Sequence, residues 1–134
     1  MEGERGAVAT ELAVLTPVLV LMMLFVVFAG RLGQAEQDLT HAVAEAARVA
    51  AIERGGDVAT RTRQTVVRNV AAAGVDCRSL EITLDGHPPR AGATVGVTAR
   101  CDVDMTGVAG LGLPRHRVLE ATAVEVVDTY RGDG

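Results

Sequence analysis

The chain has no tryptophan and no lysine, and only one tyrosine, two phenylalanines, three histidines and two cysteines. The shortage of aromatics bears on the core first. Phe25 and Phe28 lie in one apolar block near the amino terminus, leaving Tyr130 alone outside it. Any domain beyond that block must build its interior from Val, Leu, Ile and Ala. Those side chains bury less area each, so the domain is expected to be marginally stable alone. Without lysine, all 13 cationic residues are arginine, and they are scattered, grouping at most as Arg61-Thr62-Arg63 and Arg115-His116-Arg117. With a net charge of −4, this is not the footprint of a nucleic-acid partner.

The scarcity of ligating side chains is equally restrictive. His41, His87 and His116 fall in three different expected elements, and Cys77 and Cys101 are too distant in sequence to read as a ligand pair, so no metal site is expected. Asp102 and Asp104 share the polar face of a strand and could form an acid pair, but with no histidine or nucleophile expected beside them they read as a solvated face. Gly107, Gly110 and Gly112 with Arg115 do not follow the order of a phosphate loop and read as a strand connection. No catalytic residue, cofactor or small-molecule substrate is expected.

What the chain does have is one long uncharged run, Leu12 to Gly30, interrupted only by Thr16 and Pro17. At ~1.5 Å per residue it spans roughly 28 Å, the hydrocarbon thickness of a bilayer. A membrane helix tolerates a proline where a Thr hydroxyl or a neighbour satisfies the freed carbonyl. A cleaved secretory signal has a basic start and a shorter apolar core of ~7–15 residues; here the lead Met1-Glu2-Gly3-Glu4-Arg5 is not basic and Glu11 abuts the run.

The junction ahead of the run is distinctive. Arg5-Gly6 precedes Ala7-Val8-Ala9-Thr10-Glu11, and the apolar residues begin at once. This resembles a prepilin-type leader, which a membrane-embedded prepilin peptidase cuts after the glycine and before the anchor. The resemblance implies Gly6 as the last leader residue, Ala7 as the new amino terminus, and Glu11 as the fifth residue of the mature chain. A glycine lets a protease approach the backbone closely. A carboxylate in an apolar helix costs ~2.5–3.5 kcal/mol at the bilayer centre and less near the surface; the liberated α-amine, on the same or a neighbouring subunit, is its natural partner. Glu11 also reads as a solvated helix-start acid, since acids favour helix amino termini.

From Glu4 through Thr16-Pro17, and on to Gly30-Arg31 and Ala42-Val43-Ala44-Glu45-Ala46-Ala47-Arg48-Val49-Ala50-Ala51, the chain resembles the TadE-like family, minor pilins or pseudopilins of the Tad/Flp tight-adherence pilus. It differs in having Leu12 where the family often has an aromatic. The resemblance implies a single-pass protein of the inner membrane with a cytoplasmic amino terminus and an extracytoplasmic domain. Its implied partners are prepilin peptidase, other pilus subunits, the inner-membrane assembly platform and membrane lipid. Two other readings stay open: an anchored scaffold or sensor with an uncleaved leader, and a small domain released by signal peptidase.

The expected organisation is a leader over 1–6, an anchor over 7–30, an extramembrane continuation of the helix over 31–54, and a small α+β domain over 55–134. Leu32, Ala35, Leu39, Ala42, Ala46 and Val49 step by three and four, broadened by Val43, Ala47 and Ala50, and predict one helix from about residue 8 to 54. Its small seam can pack on the chain's own sheet or on another subunit. Gly55-Gly56 makes a turn with Asp57 as amino-cap, and a second helix over 58–73 ends at Gly74, with Val58, Thr62, Val66, Val70 and Ala73 on its apolar face. Three strands are expected, over 78–84, 93–105 and 118–129. The second alternates cleanly, Val95, Val97, Ala99, Cys101 and Val103 against Thr94, Thr98, Arg100, Asp102 and Asp104. The third is apolar on both faces, which argues for a central position or for partner contact. Pairing the first two strands brings Cys77 opposite 100–101. A disulfide there needs a kink near Arg78, because Cys77 otherwise points away from the face of Leu80, Ile82 and Leu84; closing ~25 residues contributes roughly 3 kcal/mol.

Overall fold

The computed structural model describes residues 2–53, 55–106, 110 and 112–130, with side chains described from Gly6 onward except that of Ala7. The elements run α1 (Glu2–Ile52), α2 (Val58–Ala72), β1 (Cys77–Asp85), β2 (Thr94–Asp104) and β3 (His116–Val126). This is the expected α+β fold, with a three-stranded antiparallel sheet in the order β1-β2-β3. Two compact units meet within α1, between Gln34 and Ala35. Met1 of the expected leader and Gly107 of the glycine-rich connection lie outside the described residues.

The amino-terminal unit is helix alone. Its large apolar side chains face outward, Leu12, Met23 and Phe25 among them. α1 starts earlier than the apolar periodicity predicts, taking in Glu2–Val8, and Pro17 lies inside it without ending it. Proline removes the N–H that would bond the Ala13 carbonyl. Thr16 does not repair this loss, because its hydroxyl donates to Leu12 O at 2.6 Å.

In the second unit, α1 from Ala35 onward and α2 cover one face of the sheet. The α1 seam is close to expectation: Leu39, Ala42, Val43, Ala46, Ala47 and Ala50 are buried, Ala51 joins them, and Val49 is half-buried. Two ion pairs flank it, Glu36 with Arg117 at 3.6 Å and Arg48 with Glu125 at 3.7 Å, so this part of α1 runs along β3 in the same direction. Being exposed, each contributes at most ~1 kcal/mol. Ala50, Ala51, Val58, Val95 and Val127 close the core where α1, α2 and the sheet meet.

The punctuation of α2 follows the sequence at one end and not at the other. Asp57 occupies the amino-cap position but makes no side-chain cap bond. At the carboxy end Gly74 takes φ +74°; its N–H donates to Ala71 O at 3.1 Å and that of Val75 to Val70 O at 3.2 Å. That pair of bonds is a Schellman closure, which needs a residue at ease in the left-handed region. The buried face is Val58, Thr62, Thr65, Val66 and Val70; Thr65 replaces the expected Ala73, which is exposed.

The sheet corrects one expectation. β3 lies at an edge, and β2 is central. Strand β2 carries the clean alternation, with Val95, Val97, Ala99 and Cys101 fully buried. β3 looked two-faced because its odd positions, Leu119 and Ala121, enter the core while Val118, Val124 and Val126 stand on the open face more than half exposed. The register shift between Cys77 and Ser79 places Cys77 opposite Val103 and Ser79 opposite Asp102, leaving Arg78 as the extra residue. A bulge of this kind swings the preceding side chain to the other face, and Cys77 is bonded to Cys101 with Cα atoms 5.2 Å apart.

Candidate functional site: the amino-terminal turn and the open sheet face

Gly6, Ala7 and Glu11 occupy consecutive turns at the start of α1. Gly6 is exposed, and beyond its chain neighbours and its own helical backbone no atom lies within 4 Å of where a Cβ would stand. Its carbonyl, which is that of the Gly6–Ala7 peptide, accepts a bond from the Thr10 hydroxyl at 2.9 Å. Positions four apart share a helix face, with about 5–6 Å between Cβ atoms, so Glu11 stands one turn from the Ala7 nitrogen. Glu11 is exposed and lines a shallow depression with Thr10, Val14 and Leu15. The helix carrying them is long and apolar enough to cross a membrane, its apolar window wholly unburied. Glu11 alone charges the stretch between Gly6 and Arg31.

The second feature is the open face of the sheet, which sequence reading passed over as a solvated surface. The register sets Glu81, Arg100 and Glu120 in one row across the three strands and Thr83, Thr98 and Thr122 in the next. Arg100 Nε donates to Glu120 Oε2, and the Thr98 and Thr122 hydroxyls share a bond at 2.9 Å. Such cross-strand pairs are the units by which a sheet face is stabilised. Ladder register was the signal, and it becomes readable once the two turns are placed.

Asp102 and Asp104 lie on this face without bonding each other. Asp104 accepts from the Thr106 hydroxyl and from its N–H, the latter at 2.8 Å. These two bonds, with lesser help from the charges of Arg78 and His116, hold its carboxyl below the ordinary value of 3.8. His116 stands opposite Asp104 in the register, a neighbour invisible in the linear sequence. One carboxylate oxygen of Asp102 is buried without a hydrogen-bond partner. Among the described residues no cluster of His, Cys, Asp or Glu has metal-binding geometry.

Taken together, the described residues comprise one apolar helix of bilayer length, which suggests a membrane anchor, and a small disulfide-bonded α+β unit. Residues 6–48 of the 134 match the family model described as TadE-like protein, so this segment of the chain is similar to that family. The matched segment begins at Gly6 and ends within α1, before α2 and the sheet. Comparisons with curated proteins and with solved structures returned no match.

Proposed function

We propose that the chain is a minor pilin, or pseudopilin, that takes part in assembling a Tad-type pilus and has no catalytic role. A prepilin peptidase cuts between Gly6 and Ala7, and the anchor stays with the product. The amino terminus faces the cytoplasm and the disulfide-bonded domain lies outside the inner membrane, where an oxidising compartment maintains the Cys77–Cys101 bond. Glu11 neutralises the new amine of Ala7, or that of a neighbouring subunit, as the helix docks against the assembly platform and other subunits. The observation that carries this reading is the family match beginning at Gly6, directly ahead of the anchor. The single acid at Glu11, one helical turn beyond Ala7, supports it.

The helical state of Gly6–Ala7 favours a second reading. A protease needs an extended substrate, and this peptide is wound into α1 with the Thr10 hydroxyl on its carbonyl. A permanently anchored scaffold with an intact leader would keep it so. Mass spectrometry of the amino terminus from the native host separates the two. We expect a chain starting at Ala7, and a Gly6→Ile variant that retains the leader. Identical termini in the two proteins would remove the leader assignment, and an intact Met1 on the native chain would install the scaffold reading. Glu11→Leu is expected to be cut normally yet fail to enter assemblies, and its normal incorporation would leave Glu11 without a docking role.

A further inference from the structure

The sheet is covered on one side only. The uncovered side carries Glu81, Asp85 and Asp104, all exposed, beside the Glu120–Arg100 pair. The opposite surface of the same unit belongs to α2, which holds three arginines and no acid. Arg61 is tied to Glu53 at 2.8 Å. Arg63 and Arg68 have no ion-pair partner among the described residues; with Thr60, Gln64 and Val67 they line an open depression facing away from the sheet. Val67 at its centre is 50% exposed, and the sheet face likewise presents Val124 at 61%.

We propose that the arginine stripe of α2 in one copy docks on the open sheet face of a second copy of this chain. Charge complementarity selects this occupant. Arg63 and Arg68 flank an exposed valine, and the receiving face has carboxylates flanking exposed valines. The planar guanidinium suits paired contact with such carboxylates. Direction selects it too. A stripe and a face on opposite sides of one unit join by translation, so every docked domain keeps the same orientation. Such a head-to-tail contact does not close and can extend. The inference rests on reading the chain as an assembling subunit, while its test registers contact between copies and is blind to leader cleavage, so the two can fail separately.

The test is a charge exchange in the full chain, followed by sedimentation velocity in nonionic detergent. Arg63→Glu with Arg68→Glu makes both surfaces acidic, and Glu81→Arg with Asp85→Arg makes both basic. Each double variant alone is expected to self-associate at least about tenfold more weakly than the native chain, and an equimolar mixture of the two is expected to recover association. Native association is expected to weaken as salt rises from about 0.05 to 0.5 M. Native-like association of either variant alone overturns the proposal, as does a mixture that fails to recover while both variants keep the native far-ultraviolet spectrum. Binding of the native chain to phosphatidylglycerol-containing micelles, lost in the α2 variant and unaccompanied by contact between copies, also overturns it and makes the stripe a lipid-binding surface.

Discussion

Leu19 and Leu39 belong to the same helix and meet opposite surroundings: Leu19 is 64% exposed and Leu39 fully buried. The contrast holds along the helix. Before Gln34 the apolar side chains, Leu, Met and Phe together with Val, point outward and find no burial within the chain. After Ala35 the buried positions are mostly Ala and Val, which let the helix lie close to the sheet. Small size is useful where a fixed neighbour must be matched atom for atom. Two halves of one helix thus follow different rules, and substitutions separate them.

The largest effect is expected from Leu39→Ala. Truncating a fully buried leucine in a core without aromatics leaves a cavity, at a cost of about 3–5 kcal/mol. In the full chain in detergent micelles, hydrogen exchange of the β2 amides is expected to accelerate accordingly. Leu19→Ala, the same chemical change, is expected to move those amides by less than about 0.5 kcal/mol. Equal effects from the two would mean that the anchor and the domain share one core, and the contrast would fail.

Next comes the Cys77–Cys101 bridge. Replacing both cysteines by serine is expected to cost roughly 3 kcal/mol in the domain, by the chain-entropy estimate for a loop of this length. Helical content from the anchor is expected to persist, so far-ultraviolet circular dichroism should lose strand signal and keep most helix signal. If β2 exchange in the double serine variant matches that of the native chain, the bulge at Arg78 and the core hold the sheet without the bond.

The same contrast explains what could be read in the sequence. The long apolar helix was legible because a bilayer-length run is read from length and hydropathy alone, with no partner to identify. The seam of α1 and the alternation of β2 were legible because their periods, 3.6 and 2, repeat often enough to register. The Arg78 bulge was legible as a parity conflict between Cys77 and Leu80. Strand order was not, since two apolar faces on β3 describe equally a buried central strand and an edge strand with an exposed valine face. Nor was Asp57, whose residue type suits a cap although its backbone leaves the side chain unbonded. The His116–Asp104 pairing depends on register across the connection between β2 and β3, which no local pattern encodes.

The smallest effect tests that connection. Two bonds from Thr106 stabilise the charged form of Asp104, so its folded pKa lies below its unfolded one. A carboxyl with a depressed pKa contributes stability that is complete above the unfolded value and fades as pH falls through the folded one. The contribution is therefore intact at neutral pH and is lost only below the ordinary value of 3.8. Removing the larger cause, the hydroxyl, by Thr106→Val is expected to raise the Asp104 pKa toward 3.8 without restoring it fully, because the backbone N–H still donates. Carboxyl-carbon NMR of labelled full chain in micelles reads this directly. The variant domain is expected to be slightly less stable than the native one at neutral pH, and the difference is expected to close across the acid transition, where Asp104 is protonated in both proteins. In the anchor the same kind of substitution, Thr16→Val, removes a hydroxyl bonded to Leu12 O and is expected to leave the acid transition where it was. A common shift in both variants would show that the acid transition reports the helix as much as the turn after β2, and the separation of the two units would lose its simplest support.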